Sequence, residues 1–184
     1  MKKIMFNDKY GLTEAVLEGR KTMTRRIVSD HLLIDCVVTG ELMIRSPYKV
    51  GEVVAVAQSY YDIYEELKRT HGSSSLITRK FFHKYIQGGR MPVSNKMFVK
   101  SEAMLRKIRI TDINVERMQE ISDEDCLKEG VIKNYRGLYF YYGNGEERYC
   151  DTPREAFSKL IDKVSGKGTW QRNPWVFAYS FELV

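Results

Sequence analysis

The sequence predicts a compact α+β protein whose strands form a small barrel, rather than a doubly wound parallel sheet. Short helix signals alternate with well-separated strand signals along the 184 residues. The strongest helix signal is the capping box from Thr152 to Glu155, with Pro153 at the first helical position and an apolar stripe up to Gly166. The aromatic and β-branched run over 175–183 is typical of a terminal strand.

The other elements each follow from a local signal. They are a strand over 3–6, a helix from Thr13 to Gly19, a strand after the basic segment 20–26, a strand over 53–58, one or two strands within 97–113, a helix from its Ser122 cap to Gly130, and a hairpin within 135–149. Candidate core residues of 97–113 are Met104, Ile108, Ile110 and Ile113. We expect one domain over 1–184 with insertions near 60–96 and 131–152, the first of limited order beyond a short helix around 63–68.

Composition places the chain among ordinary globular proteins, with 43% hydrophobic and 29% charged residues. No apolar run approaches the roughly 20 residues of a membrane span, and the first residues lack the pattern of a signal peptide, so we expect a cytoplasmic protein with no membrane partner. The cysteines and histidines are scattered, and we therefore expect no disulfide framework, no metal site and no cofactor. They are Cys36, Cys126, Cys150, His31, His71 and His83.

The formal charge of +6 is unevenly distributed. Between residues 67 and 109 Glu102 is the single acidic residue among many cations, whereas 110–163 carries an acidic excess. A phosphate-bearing partner explains such a concentration, and a solvated charged face is the alternative.

The basic segment 19–26 is the most informative part of the chain, because four cations and two threonine hydroxyls follow a glycine that can bring the backbone close to a ligand. It predicts an anion or nucleic-acid site at Arg20, Arg25 and Arg26, without the glycine spacing of a phosphate-binding Walker loop. A second interpretation is catalytic, with Lys21 deprotonating Thr24. A third is a solvated basic edge.

Two further segments carry candidate ligand contacts. Arg79, Lys80 and Lys84 alternate with aromatic rings, a composition that suits single-stranded nucleic acid, although the rings could equally pack a helix onto the core. Trp170 and Asn173 lie in a loop where they could stack on and hydrogen-bond a base.

Four motifs in order resemble the ASCH domain family, most closely its longer bacterial and phage-associated members. They are GRKTxTxR at 19–26, YKVGE at 48–52, ISxEDxxxEG at 121–130 and GKGTWxxNPWV at 166–176. The resemblance implies a PUA-like fold, a β pseudo-barrel of mostly antiparallel strands with short flanking helices. It also implies a cleft, lined by the GRKT-type loop, that binds RNA, another single-stranded nucleic acid or a modified nucleoside.

Some short members of that family are amidohydrolases that remove the acetyl group from 4-acetylcytidine. By motif, their catalytic residues fall on Lys21 as base, Thr24 as nucleophile and Glu129 as proton carrier. This chain is much longer than those enzymes, so fold and residue types leave the reaction open. Binding without reaction is the first expectation, deacylation of an acylated pyrimidine nucleoside the second, and docking of an acidic protein by the basic insertion the third.

Overall fold

The computed structural model describes residues 1–29, 46–87, 93–143 and 149–184. The chain has the expected mixed α+β character and divides into two compact units. The first unit holds Met1–Phe6, Val53–Ile108 and Val184, and the second holds Asn7–Glu52 and Arg109–Leu183. None of the helices in the described ranges has the length and apolar character that crossing a membrane requires.

The first unit contains a parallel strand pair and a group of helices. Strand β1 (Lys3–Ile4) pairs with β3 (Val53–Val56) in the register Lys3 to Ala55 and Ile4 to Val56, and the start of β4 (Lys107–Arg117) lies next to β3. The elements are β1 (Lys3–Ile4), β3 (Val53–Val56), α2 (Tyr60–His71), α3 (Leu76–Phe81), a π-helical turn (Phe82–Gln87), two 3-10 turns (Lys96–Phe98 and Ser101–Ala103) and the first residues of β4 (Lys107–Arg117).

Most of the segment 60–87 is helical, with a short turn at 72–75, so the expectation of limited order is wrong for the helical residues. Ser59 and Asp62 form a reciprocal capping box at the start of α2, which satisfies the amides that a helix leaves unpaired. Ile63 and Leu67 are buried on the inner side of α2, and the Tyr85 ring stacks on Tyr60 with centroids 4.8 Å apart. Capping and burial together stabilise α2 over a longer stretch than the short helix predicted around 63–68. Residues 88–92 lie outside the described ranges.

The second unit is built around an antiparallel pair. Strand β2 pairs with β7, with Thr24 opposite Tyr179 and Arg25 opposite Ala178, and the strand order in this unit is β4, β7, β2. The elements are α1 (Leu12–Leu17), β2 (Met23–Ile27), the rest of β4, α4 (Asp123–Lys128), β5 (Ile132–Lys133), β6 (Phe140–Tyr141), α5 (Pro153–Ser165), α6 (Thr169–Arg172) and β7 (Trp175–Leu183).

Several predicted elements appear with shifted ends. Helix α1 begins after Gly11 with no side-chain cap, because Thr13 is buried inside the first turn. Of the segment 97–113, the part from residue 107 onward is strand, and Ile113 is only half-buried. The hairpin predicted within 135–149 is displaced, because β6 pairs with β5, which precedes that range. Residues 144–148 lie outside the described ranges. The predicted loop that holds Trp170 and Asn173 contains the short helix α6, which includes Trp170 and ends before Asn173.

The helices α4, α5 and the terminal strand β7 confirm the strongest sequence signals. Ser122 accepts a hydrogen bond from the Asp125 amide, and Thr152 accepts one from the Glu155 amide. In neither unit do the described strands close into a barrel. A closed barrel requires the first and last strands of the order to pair with each other, and they do not. The α+β class is therefore confirmed, and the PUA-like arrangement stays a prediction.

Candidate functional site

The basic segment is held between the ends of two helices. After α1, Gly19 takes a left-handed φ of 75° and turns the chain back. The Lys21 amide then donates to the Ala15 carbonyl, and the Thr22 amide donates to the Lys128 carbonyl at the end of α4, each over 2.9 Å. These two bonds fix the backbone just before β2, and the Lys21 side chain is buried.

Glu129 reaches the same place from α4. It is the residue that ends this helix, and its amide bonds back to the Asp125 carbonyl. Gly130 follows with φ 101°, a conformation that favours glycine. A Cβ at this position would lie 3.3 Å from Leu12 Cδ2 and 3.6 Å from Lys21 Cδ. Glycine therefore leaves room for the lysine side chain against the end of the helix.

Lys21 and Glu129 form a buried ion pair. The Lys21 ammonium donates to Glu129 Oε2 over 2.5 Å and to the Glu129 backbone carbonyl over 2.7 Å. The two side chains are 2% and 6% exposed. Burial of both charges makes the pair sensitive to the loss of either partner, because the remaining charge would be desolvated without compensation.

Arg25 joins the pair to two more carboxylates. Its Nε donates to Glu116 Oε1 over 2.8 Å, its Nη1 lies 3.3 Å from Glu129 Oε1, and its Nη2 lies 3.5 Å from Asp125 Oδ2. Only 1% of the Arg25 side chain is exposed. We call Lys21, Arg25, Glu116, Asp125 and Glu129 the Lys21 cluster. It holds two cations and three carboxylates, so its cations face anions rather than open solvent.

The surroundings of Lys21 shift the pKa of its ammonium downward. Burial lowers the pKa of the Lys21 ammonium from its ordinary value of 10.5, and the Arg26 and Arg25 charges lower it further. The Glu129 carboxylate acts in the opposite direction. A lysine whose pKa is lowered by burial beside a carboxylate is suited to accept a proton from a substrate or a water molecule.

Thr24 does not share this network. On strand β2 successive side chains point to opposite faces, so Thr24 points away from the face that carries Arg25. Its register partner is Tyr179, whose hydroxyl is hydrogen-bonded to Ser46 over 2.8 Å. Within the described ranges no hydrogen bond joins the buried Thr24 hydroxyl to Lys21 or Glu129. The structure brings two of the three predicted catalytic residues together.

The other cations of the basic segment have different surroundings. Arg20 is exposed and forms a 2.5 Å ion pair with Glu18. Arg26 is half-buried on the Thr24 side of β2, opposite Phe177. Since Lys21 and Arg25 are buried against carboxylates and Arg26 is half-buried, Arg20 is the exposed cation of this segment.

Trp170 and Asn173 hold the chain around α6. The Trp170 ring packs edge-on against Phe157 with centroids 6.1 Å apart, and its amide donates to Asp162. Asn173 has a left-handed φ of 44°, and its side-chain oxygen accepts from the Gln119 amide over 2.8 Å. Both residues therefore make contacts within the fold, and a ligand would have to bind them in addition to these contacts.

The cations Arg79, Lys80 and Lys84 belong to the first unit, whereas the residues of the Lys21 cluster belong to the second. All three are exposed. Phe81 and Tyr85 pack against each other at 4.8 Å, and both contact Tyr60. The rings therefore pack inward while the cations lie outside, which is the packing alternative considered for this run.

Glu116 and Asp125 are cluster members that sequence reasoning did not single out. Asp125 belongs to the acidic first turn of α4, which explained it as a helix-stabilising charge. Glu116 lies near the end of β4 with no local pattern around it. Their contacts with Arg25 span 100 and 91 positions. In the described ranges, no group of three or more His, Cys, Asp or Glu side chains is placed to hold a metal ion.

The fold and site define an α+β protein with a buried cluster of charged groups at the junction of two helix ends and a strand. No family model matches the chain. No curated protein matches it either. Among solved structures it is similar to protein EF3133 from Enterococcus faecalis V583, whose title gives the family model DUF984. That likeness has 15% identity and a TM-score of 0.42, and covers 100% of this chain and 77% of the other.

Proposed function

We propose that this chain is an ASCH-like domain of PUA-like fold that binds an acylated pyrimidine nucleoside at the Lys21 cluster and removes its acyl group. The observation that carries the proposal is the buried 2.5 Å contact between the Lys21 ammonium and Glu129. It joins two residues that the resemblance assigns to catalysis. The wider motif agreement over 19–176 is what suggests the nucleoside class.

Burial of so many charged groups in one place needs a reason beyond stability. A buried ion pair is often no more stabilising than well-packed apolar residues of similar size, because desolvation opposes the attraction. Groups with perturbed pKa values and specific charge partners are concentrated at functional sites. The Lys21 cluster combines both features in residues 21–25 and 116–129.

The chemistry begins with neutral Lys21. Its Nζ takes a proton from the nucleophile, which adds to the acyl carbonyl carbon and gives a tetrahedral oxyanion. When that intermediate collapses, the bond between the carbonyl carbon and the exocyclic nitrogen breaks, and the proton passes from Lys21 to the leaving amine. The products are the free nucleoside and a carboxylic acid. Glu129 keeps the lysine oriented and stabilises its protonated form between the two proton transfers.

Water is the nucleophile that this geometry favours. The Thr24 side chain points to the face of β2 opposite Arg25, and within the described ranges it has no hydrogen bond to Lys21. A water molecule bound with the substrate next to the lysine needs no such contact. Direct attack by water also requires no ester intermediate on the protein.

Recognition without reaction is the second candidate function. The same separation of Thr24 from Lys21 favours it, because a chain that lacks an activated nucleophile could still bind a modified nucleoside or RNA. The carboxylates and the lysine would then hydrogen-bond the edge of the base. The two candidates differ in whether product is released.

Incubation of the purified chain with 4-acetylcytidine, followed by chromatography of released cytidine, tests the proposal. We expect release by the wild type and loss of release in Lys21→Met and Glu129→Gln. Lys163→Met, which removes an exposed lysine of α5, is the matched control and should leave release unchanged. Circular dichroism checks that each variant is folded.

Absence of release by the folded wild type would overturn the hydrolase proposal. Titration calorimetry with 4-acetylcytidine then decides the second candidate. Binding that is weakened in Glu129→Gln supports recognition without reaction, and no binding overturns recognition of an acylated nucleoside at the Lys21 cluster.

A further inference from the structure

The first unit exposes a cationic helical surface that the proposed function does not use. We define the basic helical face as Arg79 and Lys80 of α3 with Lys84 of the following π-helical turn. All three side chains are exposed. Residues 67–101 contain no Asp or Glu, so the nearby sequence supplies no acidic counterpart.

The orientation of this face follows from how α3 packs. Thr78 is fully buried, and its hydroxyl donates to the Leu67 carbonyl of α2 over 3.3 Å. Phe82 packs against Tyr64 of the same helix, with ring centroids 5.3 Å apart. These contacts turn one side of α3 and the π-helical turn toward α2. The cations between the buried positions are left on the outer side.

The cations of this face have no carboxylate partner among the described residues. In the part of the chain that the structure describes, no acidic side chain lies within ion-pair distance of Arg79, Lys80 or Lys84. Lys68 on α2 differs, since it is paired with Glu65 over 2.8 Å. Three exposed cations with no carboxylate partner in the described ranges are suited to bind an anionic polymer.

We propose that the basic helical face binds single-stranded RNA through its phosphates, without reading the bases. The neighbouring rings Phe81 and Tyr85 pack onto Tyr60, so they are engaged in the core rather than offered to a base. Contact is thereby limited to the sugar-phosphate backbone, which carries no sequence information. The choice of RNA as the polymer rests on the proposed function, since an acylated pyrimidine nucleoside is a component of RNA.

An anionic lipid surface fits the face less well. The exposed apolar residues beside the cations are Leu76 and Ile77, 66% and 55% exposed. Both lie in the first turn of a six-residue helix. A membrane-surface helix needs an apolar stripe along its length, which α3 does not have on its outer side.

Fluorescence anisotropy with a labelled uridine 20-mer RNA at low and moderate salt tests the proposal. Three phosphate contacts on a single strand predict a slope of log affinity against log salt of about −2. The triple variant Arg79→Gln, Lys80→Gln, Lys84→Gln should bind at least tenfold more weakly at low salt and show a slope near zero. A control that removes three exposed lysines of the second unit, at Lys9, Lys133 and Lys163, should bind like the wild type.

Equal binding by the triple variant and the wild type would overturn the assignment of the face. Tighter binding of labelled poly-glutamate than of the RNA at the same salt and the same concentration of charge would also overturn it, in favour of an acidic protein partner. Binding to phosphatidylglycerol vesicles in the absence of RNA binding would assign the face to a membrane instead. Release of cytidine from 4-acetylcytidine does not depend on this face. Failure of the RNA proposal would therefore leave cytidine release unchanged, and failure of the hydrolase proposal would leave RNA binding unchanged.

Discussion

The Lys21 ammonium and the Glu129 carboxylate lie 2.5 Å apart, although 108 positions separate them in the chain. Glu129 also contacts Arg25 through its second carboxylate oxygen, at 3.3 Å. One carboxylate therefore contacts two buried cations, of which Arg25 has other carboxylate partners and Lys21 is held by Glu129. Loss of Glu129 and loss of Lys21 should therefore change the stability of the fold by different amounts.

Glu129→Gln is expected to destabilise the fold more than Lys21→Met. The glutamine variant leaves the buried lysine without its anion, whereas the methionine variant leaves Glu129 with Arg25. Loss of one partner of a buried pair costs about 3–5 kcal/mol, and we place Glu129→Gln in that range and Lys21→Met below it. Urea denaturation at neutral pH measures both.

Glu124→Gln makes the same chemical change in an exposed pair with Lys128. It should cost about 0–1 kcal/mol. Equal losses in Glu124→Gln and Glu129→Gln would contradict the importance of burial at the Lys21 cluster.

The rate of deacylation is expected to rise with pH. Neutral Lys21 is the active form, so the rate increases as the ammonium loses its proton and levels off above its pKa. Because burial lowers that pKa, the midpoint should lie below 10.5. Initial rates from neutral pH to about pH 10 measure the profile. Lys21→Arg keeps a cation that does not deprotonate in this range, so it should retain the fold and show no such rise. A flat profile in the wild type would rule out the lysine as base.

Thr24→Val should retain most of the deacylation rate. The Thr24 side chain lies on the face of β2 that Tyr179 shares, and water is the proposed nucleophile. Steady-state kinetics of Thr24→Val and Thr24→Ser, compared at equal folded fraction, test this. Activity that is lost in the valine variant and kept in the serine variant would instead identify the hydroxyl as the nucleophile and require a movement of β2.

Gly130→Ala is expected to lower both stability and activity. Its φ of 101° strains any residue with a Cβ, and that Cβ would lie 3.3 Å from Leu12 Cδ2 and near the Lys21 stem. Gly72→Ala is a matched control, because Gly72 has φ 82° and nothing within 4 Å of an added Cβ. Thermal denaturation should show the larger loss for Gly130→Ala. Equal effects of the two variants on the rate would show that Gly130 does not influence the position of Lys21.

Local signals in the sequence predicted those parts of the fold that depend on local chemistry. The Ser122 and Thr152 caps placed α4 and α5 correctly, because a capping hydroxyl and its target amide are three residues apart. The order of α2 was underestimated although the capping box of Ser59 and Asp62 is also local. The capping box stabilises a long helix only because Ile63 and Leu67 pack against a core, and that packing is not visible in the local sequence.

The Lys21 cluster was predictable in part. The resemblance paired Lys21 with Glu129, and the structure places them in contact. The contacts of Arg25 with Glu116 and Asp125 were not predictable from spacing, because strand pairing and helix packing bring these residues together from 91 and 100 positions away. The sequence therefore predicted a cationic surface at the basic segment, whereas in the structure two of its four cations are buried against carboxylates.

The alternation along β2 gives the Lys21 cluster a role in folding. Met23, Arg25 and Ile27 share one face of the strand, and Thr24 and Arg26 share the other. If β2 paired with β7 one residue out of step, Arg25 would turn toward the face of Tyr179 and leave Glu116 and Glu129 without its charge. The cluster thus discriminates against the neighbouring misaligned pairing. Insertion or deletion of a single residue between Lys21 and Arg25 should consequently be less tolerated than any one substitution there, because it reverses every later side chain of the strand at once.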